Sequence, residues 1–136
     1  MIACDTSVLV AAFDRTNSAH DVAVAALRRS DALIEHVAVE TFSVLTRLPV
    51  HHRAPPELAA RFLAHHFPAE VPRLPSPGAD VLIATGLRTG ISGGAVYDLM
   101  VGLAAAHASS TLLSLDRRAA RTYEAADVDH TLLPNA

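Results

Sequence analysis

Residues 1–10 read MIACDTSVLV, and the charge in their middle decides how the chain is folded. Ile2, Ala3 and Cys4 lead in and Val8, Leu9 and Val10 lead out, so the stretch looks like a strand bound for the core. A carboxylate in such surroundings is costly unless something pairs with it. The apolar run therefore spans residues 2–4 and stops at Asp5. A second run, TLLSL at 111–115, stops in the same way at Asp116. Short apolar runs alternating with helical patterns point to an α/β fold with a parallel sheet. In open parallel sheets the carboxyl ends of the strands are where ligand sites form.

Working outward, a helix is expected from Ser18 to Arg29, with Ser18 and Asp21 as a capping box and Arg28 and Arg29 at the negative end of the dipole. In HVAVETFSVLTRLP, residues Val37, Thr41, Val44, Leu45 and Leu48 fall at helical spacing until Pro49. PPELAARFLAHHF opens on prolines suited to a first helical turn and places Leu58 and Phe62 on one face. Further helices are expected at about 78–88 and over AVYDLMVGLAAAHA, separated by a turn at Gly90, Gly93 and Gly94. A short arginine-rich helix follows Asp116, and VDHTLL reads as a closing strand.

The 136 residues fit one domain with a single core. A hydrophobic fraction of 51%, with 18% charged residues, is a globular composition rather than a disordered one. Neither a membrane span nor a signal peptide is expected. The lone cysteine, Cys4, excludes an internal disulfide and fits a reducing cytoplasm. It reads as a small buried hydrophobe. The net charge of −3 argues against an overall positive field for gripping nucleic acid, so any basic patch is local. All 11 basic residues are arginine. The absence of lysine excludes a P-loop, a Schiff-base pyridoxal enzyme and an ordinary phospho-acceptor receiver.

Two more acids sit where apolar or small residues belong. Glu40 lies between Val37 and Val44 on the inward face of its helix, and Asp98 aligns with Gly102 and Ala105. That small-residue stripe lets the helix approach a neighbour closely. Taken singly, Asp5 or Asp116 reads as a helix cap or turn residue, and Glu40 as the edge of a face. Two strand ends and two helix faces together point to convergence. Carboxylates about 5 Å apart repel by roughly 3 kcal/mol at an effective dielectric near 20, so four of them bind protons or a cation. Oxygen ligands without Cys or paired His select Mg²⁺, with Mn²⁺ as a substitute. Such ions activate water and offset charge on a phosphoryl group. The chemistry implied is metal-assisted phosphodiester hydrolysis.

In these segments the chain resembles PIN-domain ribonucleases, in particular VapC-type toxins of bacterial toxin–antitoxin pairs. The carriers are IACDTSVLVAAF, VAVETFSVLTRLP, GISGGAVYDLMVGLAAAH and TLLSLDRRAARTY, in that order along essentially the whole chain. The resemblance implies a three-layer α/β/α domain with a central, mostly parallel sheet, usually dimeric. It implies Mg²⁺-dependent RNA cleavage through an acidic quartet that maps onto Asp5, Glu40, Asp98 and Asp116. Asp5 and Asp98 would be the main metal ligands. Ser114 keeps the hydroxyl often found two residues before the last acid, and Thr6 and Ser7 follow the first acid as expected. A cognate antitoxin is implied as well, placing a basic side chain against the acids and carrying any operator-DNA binding.

Other signals weigh less. GISGG matches G-x-S-x-G, and Ser92, Asp116 and His130 even follow a hydrolase order, but Ser92 does not sit between strand and helix. It belongs to a turn near the next helix N-cap. His51–His52 and His65–His66 are adjacent pairs without zinc-ligand spacing, and His36–Glu40 is an i, i+4 pair. Thr6, Ser114, Arg117, Arg118 and Arg121 are the candidate contacts to an RNA substrate. For the arginines, a solvated helix face is the competing reading. With 4% aromatics, stacking on splayed bases is limited, and folded RNA is the expected substrate. The alternative function is a metal-binding but non-catalytic RNA-binding or regulatory domain. An aspartyl phosphatase would need a second acid two residues after Asp5. Asn at position 5 or 98 is expected to abolish cutting and leave the metal-free fold as stable or more so.

Overall fold

The computed structural model describes residues 1–135. Along the chain run β1 (Ile2–Cys4), α1 (Thr6–Phe13), α2 (His20–Arg29), β2 (Leu33–Ile34), α3 (Glu35–Leu45) and α4 (Pro56–His66). These are followed by β3 (Arg73–Leu74), α5 (Ala79–Thr89), α6 (Ala95–His107), β4 (Thr111–Ser114), α7 (Arg117–Ala125) and β5 (His130–Leu132). Every strand pair is parallel, in the orders β1-β4-β5 and β2-β3. The Asp31 N–H donates to the Ile2 carbonyl at 2.9 Å, which draws β2 against the open edge of β1. Connections from β1 thus run one way to β2 and β3, and the chain then crosses back to β4 and β5. The reversal falls between β1 and β4, the topological switch point where a crevice opens.

The core fills both faces of this sheet. Ala3, Cys4, Leu112 and Leu113 are buried between Val8 and Leu9 of α1, Val37 of α3, Val101 and Ala105 of α6 and Tyr123 of α7. The arrangement is the three-layer α/β/α one. Gly102 sets its tightest contact: a Cβ there would lie 3.0 Å from Tyr123 Cδ1 and 3.1 Å from Val128 Cγ2. The stripe of Asp98, Gly102 and Ala105 therefore brings α6 hard against α7, with Asp98 on the shared side.

Several local expectations are corrected. Val8–Val10 is not strand but part of α1, which starts directly after Asp5 because the Asp5 carboxylate accepts the Ser7 N–H at 3.1 Å. Ser18 forms no capping box. Helix α2 begins at His20 without a side-chain cap, the Ala19 N–H is taken by Asn17 Oδ1 at 2.9 Å, and the Ser18 hydroxyl turns to Asn135. In α4 Leu58 and Phe62 do share a face and line one cleft, with Phe62 edge-on against Phe13, but the helix's buried residue is Ala59 and Leu58 is exposed. The turn before α6 ends at Gly94, which lends no side-chain cap. Cys4 is buried, which pushes its thiol up to about 12 and makes it inert.

Candidate active site

Asp5 and Asp116 end neighbouring strands, and each also starts a helix. Asp5 continues the β1–β4 ladder by donating its N–H to the Leu113 carbonyl at 3.0 Å. Its side chain is almost fully enclosed and held at three points. Oδ1 accepts from the Ser7 N–H and the Ser7 hydroxyl, and Oδ2 accepts from the Tyr123 hydroxyl at 2.9 Å. The same Ser7 Oγ accepts the Leu115 N–H at 2.9 Å, so one hydroxyl ties α1 to the end of β4. Asp116 caps α7 through the Arg118 and Ala119 N–H groups at 2.8 and 3.2 Å. Its own N–H is steadied by Ser114 Oγ at 3.0 Å. The helix-cap reading of both acids is thus true, and it does not compete with a site: capping is what aims them into the crevice.

Glu40 and Asp98 reach the same place from helix faces. Glu40, half-buried on α3, is met by His36 Nε2 at 3.1 Å one turn earlier. The His36 ring stacks on Tyr97 of α6, with centroids 6.1 Å apart. Asp98, half-buried on α6, accepts no hydrogen bond from the described residues. All four acids line one small cavity of about 30 Å³, with Thr6, Ser7, Val101 and Tyr123 among its other walls. A cavity of that size has room on the order of one water or one ion.

Electrostatics marks this cavity as unbalanced. Burial pushes the Asp98 carboxyl up to about 6, and the charges of Asp116, Asp5 and Glu40 push the same way. Burial also raises the Asp5 carboxyl, against the hydroxyls of Ser114, Ser7 and Tyr123 that stabilise its charge. Burial and the adjacent Asp5 hold the Tyr123 phenol protonated, so it remains a donor. Among the described residues the ion pairs are His36–Glu40 and His52–Asp14, so no arginine neutralises the cluster. The Thr6 hydroxyl on the cavity wall is buried and lacks a partner among the described residues. Oxygen-only walls, surplus negative charge and an orphaned hydroxyl fit a hard divalent cation. Among the described residues no three acids or histidines are grouped tightly enough to hold an ion as they stand. Drawing them closer needs a cation or protons to offset their mutual repulsion.

The sequence profile of the PIN domain matches residues 2–125. The chain belongs to the PIN-domain family. It is 43% identical over 133 residues to Ribonuclease VapC40 of Mycobacterium tuberculosis H37Rv, covering 98% of this chain and 99% of that protein. It is 44% identical over 124 residues to Ribonuclease VapC27 of the same organism, covering 90% of each. The crystal structure of PAE2754 from Pyrobaculum aerophilum superposes with a TM-score of 0.62 at 17% identity, covering 91% of this chain and 80% of that one. That likeness is one of fold.

Within this PIN domain the expected quartet is brought together, but it is not the buried set that the sequence implied. Asp5 alone is fully enclosed, Glu40 and Asp98 are half-buried, and Asp116 is exposed. Ser114 is corrected as a substrate contact: its side chain is wholly buried, steadies the Asp116 N–H and stabilises the charge of Asp5. Arg117 and Arg118 line a larger cleft beside the acids, whereas Arg121 lines neither cavity. Ser7 and Tyr123 are the residues that sequence reasoning passed over as site components. The signal for Tyr123 was its place two helical turns beyond Asp116, on the face that the small residues Ala119 and Ala120 share.

Proposed function

We infer that this PIN domain is a divalent-cation-dependent endoribonuclease, the toxin of a toxin–antitoxin pair, which hydrolyses RNA phosphodiester bonds. The observation that carries this reading is four acids from four elements lining one ion-sized cavity at the sheet's switch point. The printed names of its relatives, both ribonucleases of the VapC series, give the same direction. Asp5 and Asp98 would hold Mg²⁺ or Mn²⁺, with Glu40 and Asp116 completing the shell directly or through water. A bound cation there would supply an activated water and offset the charge that builds on the scissile phosphate.

The chain's own residues prepare that chemistry. Ser7 and Tyr123 fix both oxygens of Asp5, so the carboxylate needs no reorganisation when a ligand arrives. Arg117 and Arg118, exposed at the start of α7 and lining the cleft beside the acids, would bind the backbone phosphates that flank the cut. The surplus acid also suits a basic partner. An antitoxin that inserts an arginine would satisfy the carboxylates in place of the cation, and operator DNA would be bound through that antitoxin. A homodimer and a cytoplasmic setting belong to the same reading. No helix among the described residues is long and apolar enough to cross a membrane.

The deciding experiment incubates the purified chain with folded and unpaired RNA in Mg²⁺, in Mn²⁺ and in EDTA. Cutting with either cation and none in EDTA is expected, with folded RNA cut more readily. RNA binding without metal-dependent cutting would replace this reading with a non-catalytic RNA-binding domain.

A further inference from the structure

The acid cavity is too small for a nucleotide, so a bound strand must lie mostly outside it. The space available is a cleft of about 620 Å³ that shares Thr6, Ser7, Glu40 and Asp116 with the acid cavity. That volume lies within the roughly 300–1,000 Å³ of small-ligand clefts. Its apolar wall comes from Val10, Ala19, Val44 and Leu115, and its polar rim carries Asn17 and the arginines at the start of α7. The cleft thus offers apolar surface for the flat face of a base and two guanidinium groups for a phosphate. Neither arginine takes part in an ion pair among the described residues.

Asn17 gives the cleft a chemical preference. Its Oδ1 accepts the Ala19 N–H at 2.9 Å, which fixes the amide and leaves the two Nδ2 hydrogens as donors. A donor pair facing a base edge favours a carbonyl acceptor. Guanine and uracil present a keto oxygen where adenine and cytosine present an amino group.

We propose that this cleft is a base subsite for the nucleotide adjoining the scissile phosphate, in which Asn17 selects keto bases over amino bases. The proposal rests on the ribonuclease reading, and its test separates the two. Asn17→Asp keeps an oxygen for the Ala19 N–H and replaces the donors with an acceptor, so an unchanged melting temperature certifies the fold.

Cleavage of a randomised RNA pool by the wild-type chain should favour G over A and U over C at one position next to the cut, by about five-fold or more. N17D should abolish or reverse that ratio, whatever it does to the overall rate. In parallel, the non-cutting D98N protein and the D98N/N17D double variant are titrated in Mg²⁺ with short RNAs that differ only at that base. Cutting whose base preference N17D leaves intact overturns the subsite and leaves the ribonuclease reading standing. Keto-selective binding that N17D reverses, with no cutting by the wild type, sustains the subsite and removes the nuclease. Wild-type cutting with no keto preference overturns the subsite and leaves the ribonuclease reading standing, and absence of both cutting and RNA binding by the wild type overturns the two together.

Discussion

The two sides of the acid cavity are built on different terms. On the strand side, Asp5 and Asp116 are embedded in hydrogen bonds from Ser7, Tyr123, Arg118 and Ala119 and each begins a helix. On the helix side, Asp98 has no protein donor among the described residues, and Glu40 has one neighbour, His36. The first pair would exist in a protein with no ligand at all, since caps and turn contacts explain it. Asp98 has no such explanation: burial and the like charges around it hold its carboxyl up to about 6. Structural acids aim a site, and unsatisfied acids leave it short of a partner.

The largest consequence is a split between activity and stability. On the proposed reading Asp98→Asn should lower RNA cleavage by on the order of 10³-fold or more, since it would remove a metal ligand. In EDTA the same variant should melt at the wild-type temperature or above it, because it removes repulsion and breaks no hydrogen bond. A clear loss of melting temperature would place Asp98 with the structural pair and erase the contrast.

Asp5 should lose both. Asp5→Ala removes a helix cap worth about 1 kcal/mol and strands the Ser7 and Tyr123 hydroxyls, for a total of roughly 2–4 kcal/mol. Urea denaturation without metal measures it. Asp5→Asn is milder, because the amide oxygen still caps α1 and the Tyr123 hydroxyl is able to turn and accept. The hydrogen bonds therefore narrow the expectation from charge alone: Asn at position 98 relieves strain, whereas Asn at position 5 exchanges one set of contacts for another.

Tyr123→Phe acts on the site at one remove. Losing a buried hydroxyl bond costs about 1 kcal/mol. The Tyr123 hydroxyl also stabilises the charged form of Asp5, so its removal raises that carboxyl further. The acid limb of the cleavage pH profile should move to higher pH. A profile that stays in place while stability drops would make Tyr123 a packing residue only.

How much of this was legible in the sequence follows the same division. The strand ends and the two odd helix positions were visible because an acid breaks an apolar or small-residue pattern, and one sequence suffices to see that. The contacts that hold Asp5 were not visible. Tyr123 lies 118 residues away from it, and no periodicity links the two. The helix α1 was hidden because Val8 and Leu9 are buried along with Ala11 and Ala12, leaving no polar face to mark a helical period. Strands β2 and β3, with two residues each, are too short for alternation to register. The burial of the quartet was overstated because a position in a pattern tells which way a side chain points, not how deep the crevice is.

The smallest effect is also the one that tests the electrostatic side of the contrast without any RNA. Folded Asp98 keeps its proton up to about 6, whereas in the unfolded chain it titrates near the ordinary value of 3.8. Between those values Asp98 holds more protons in the native state than in the unfolded one, so its contribution falls as pH rises from about 4 to about 6, while His66, held below the usual histidine range by burial, pulls the other way toward the upper end of that window. Asp5, raised by burial, adds to the fall. Asp14, held low by the Thr16 hydroxyl, acts below 3.8, where its contribution is lost on acidification, and so leaves this window alone. With Asp98 half-exposed and screened by solvent, its share is about 1 kcal/mol. Denaturation midpoints in EDTA across the window should show that decline, and Asp98→Asn should flatten it. Mg²⁺ should flatten it as well, since a bound cation replaces the proton as the partner of the acids. If neither change alters the slope, the charges of Asp5, Glu40, Asp98 and Asp116 are not coupled, and proximity alone does not make their cavity a cation site.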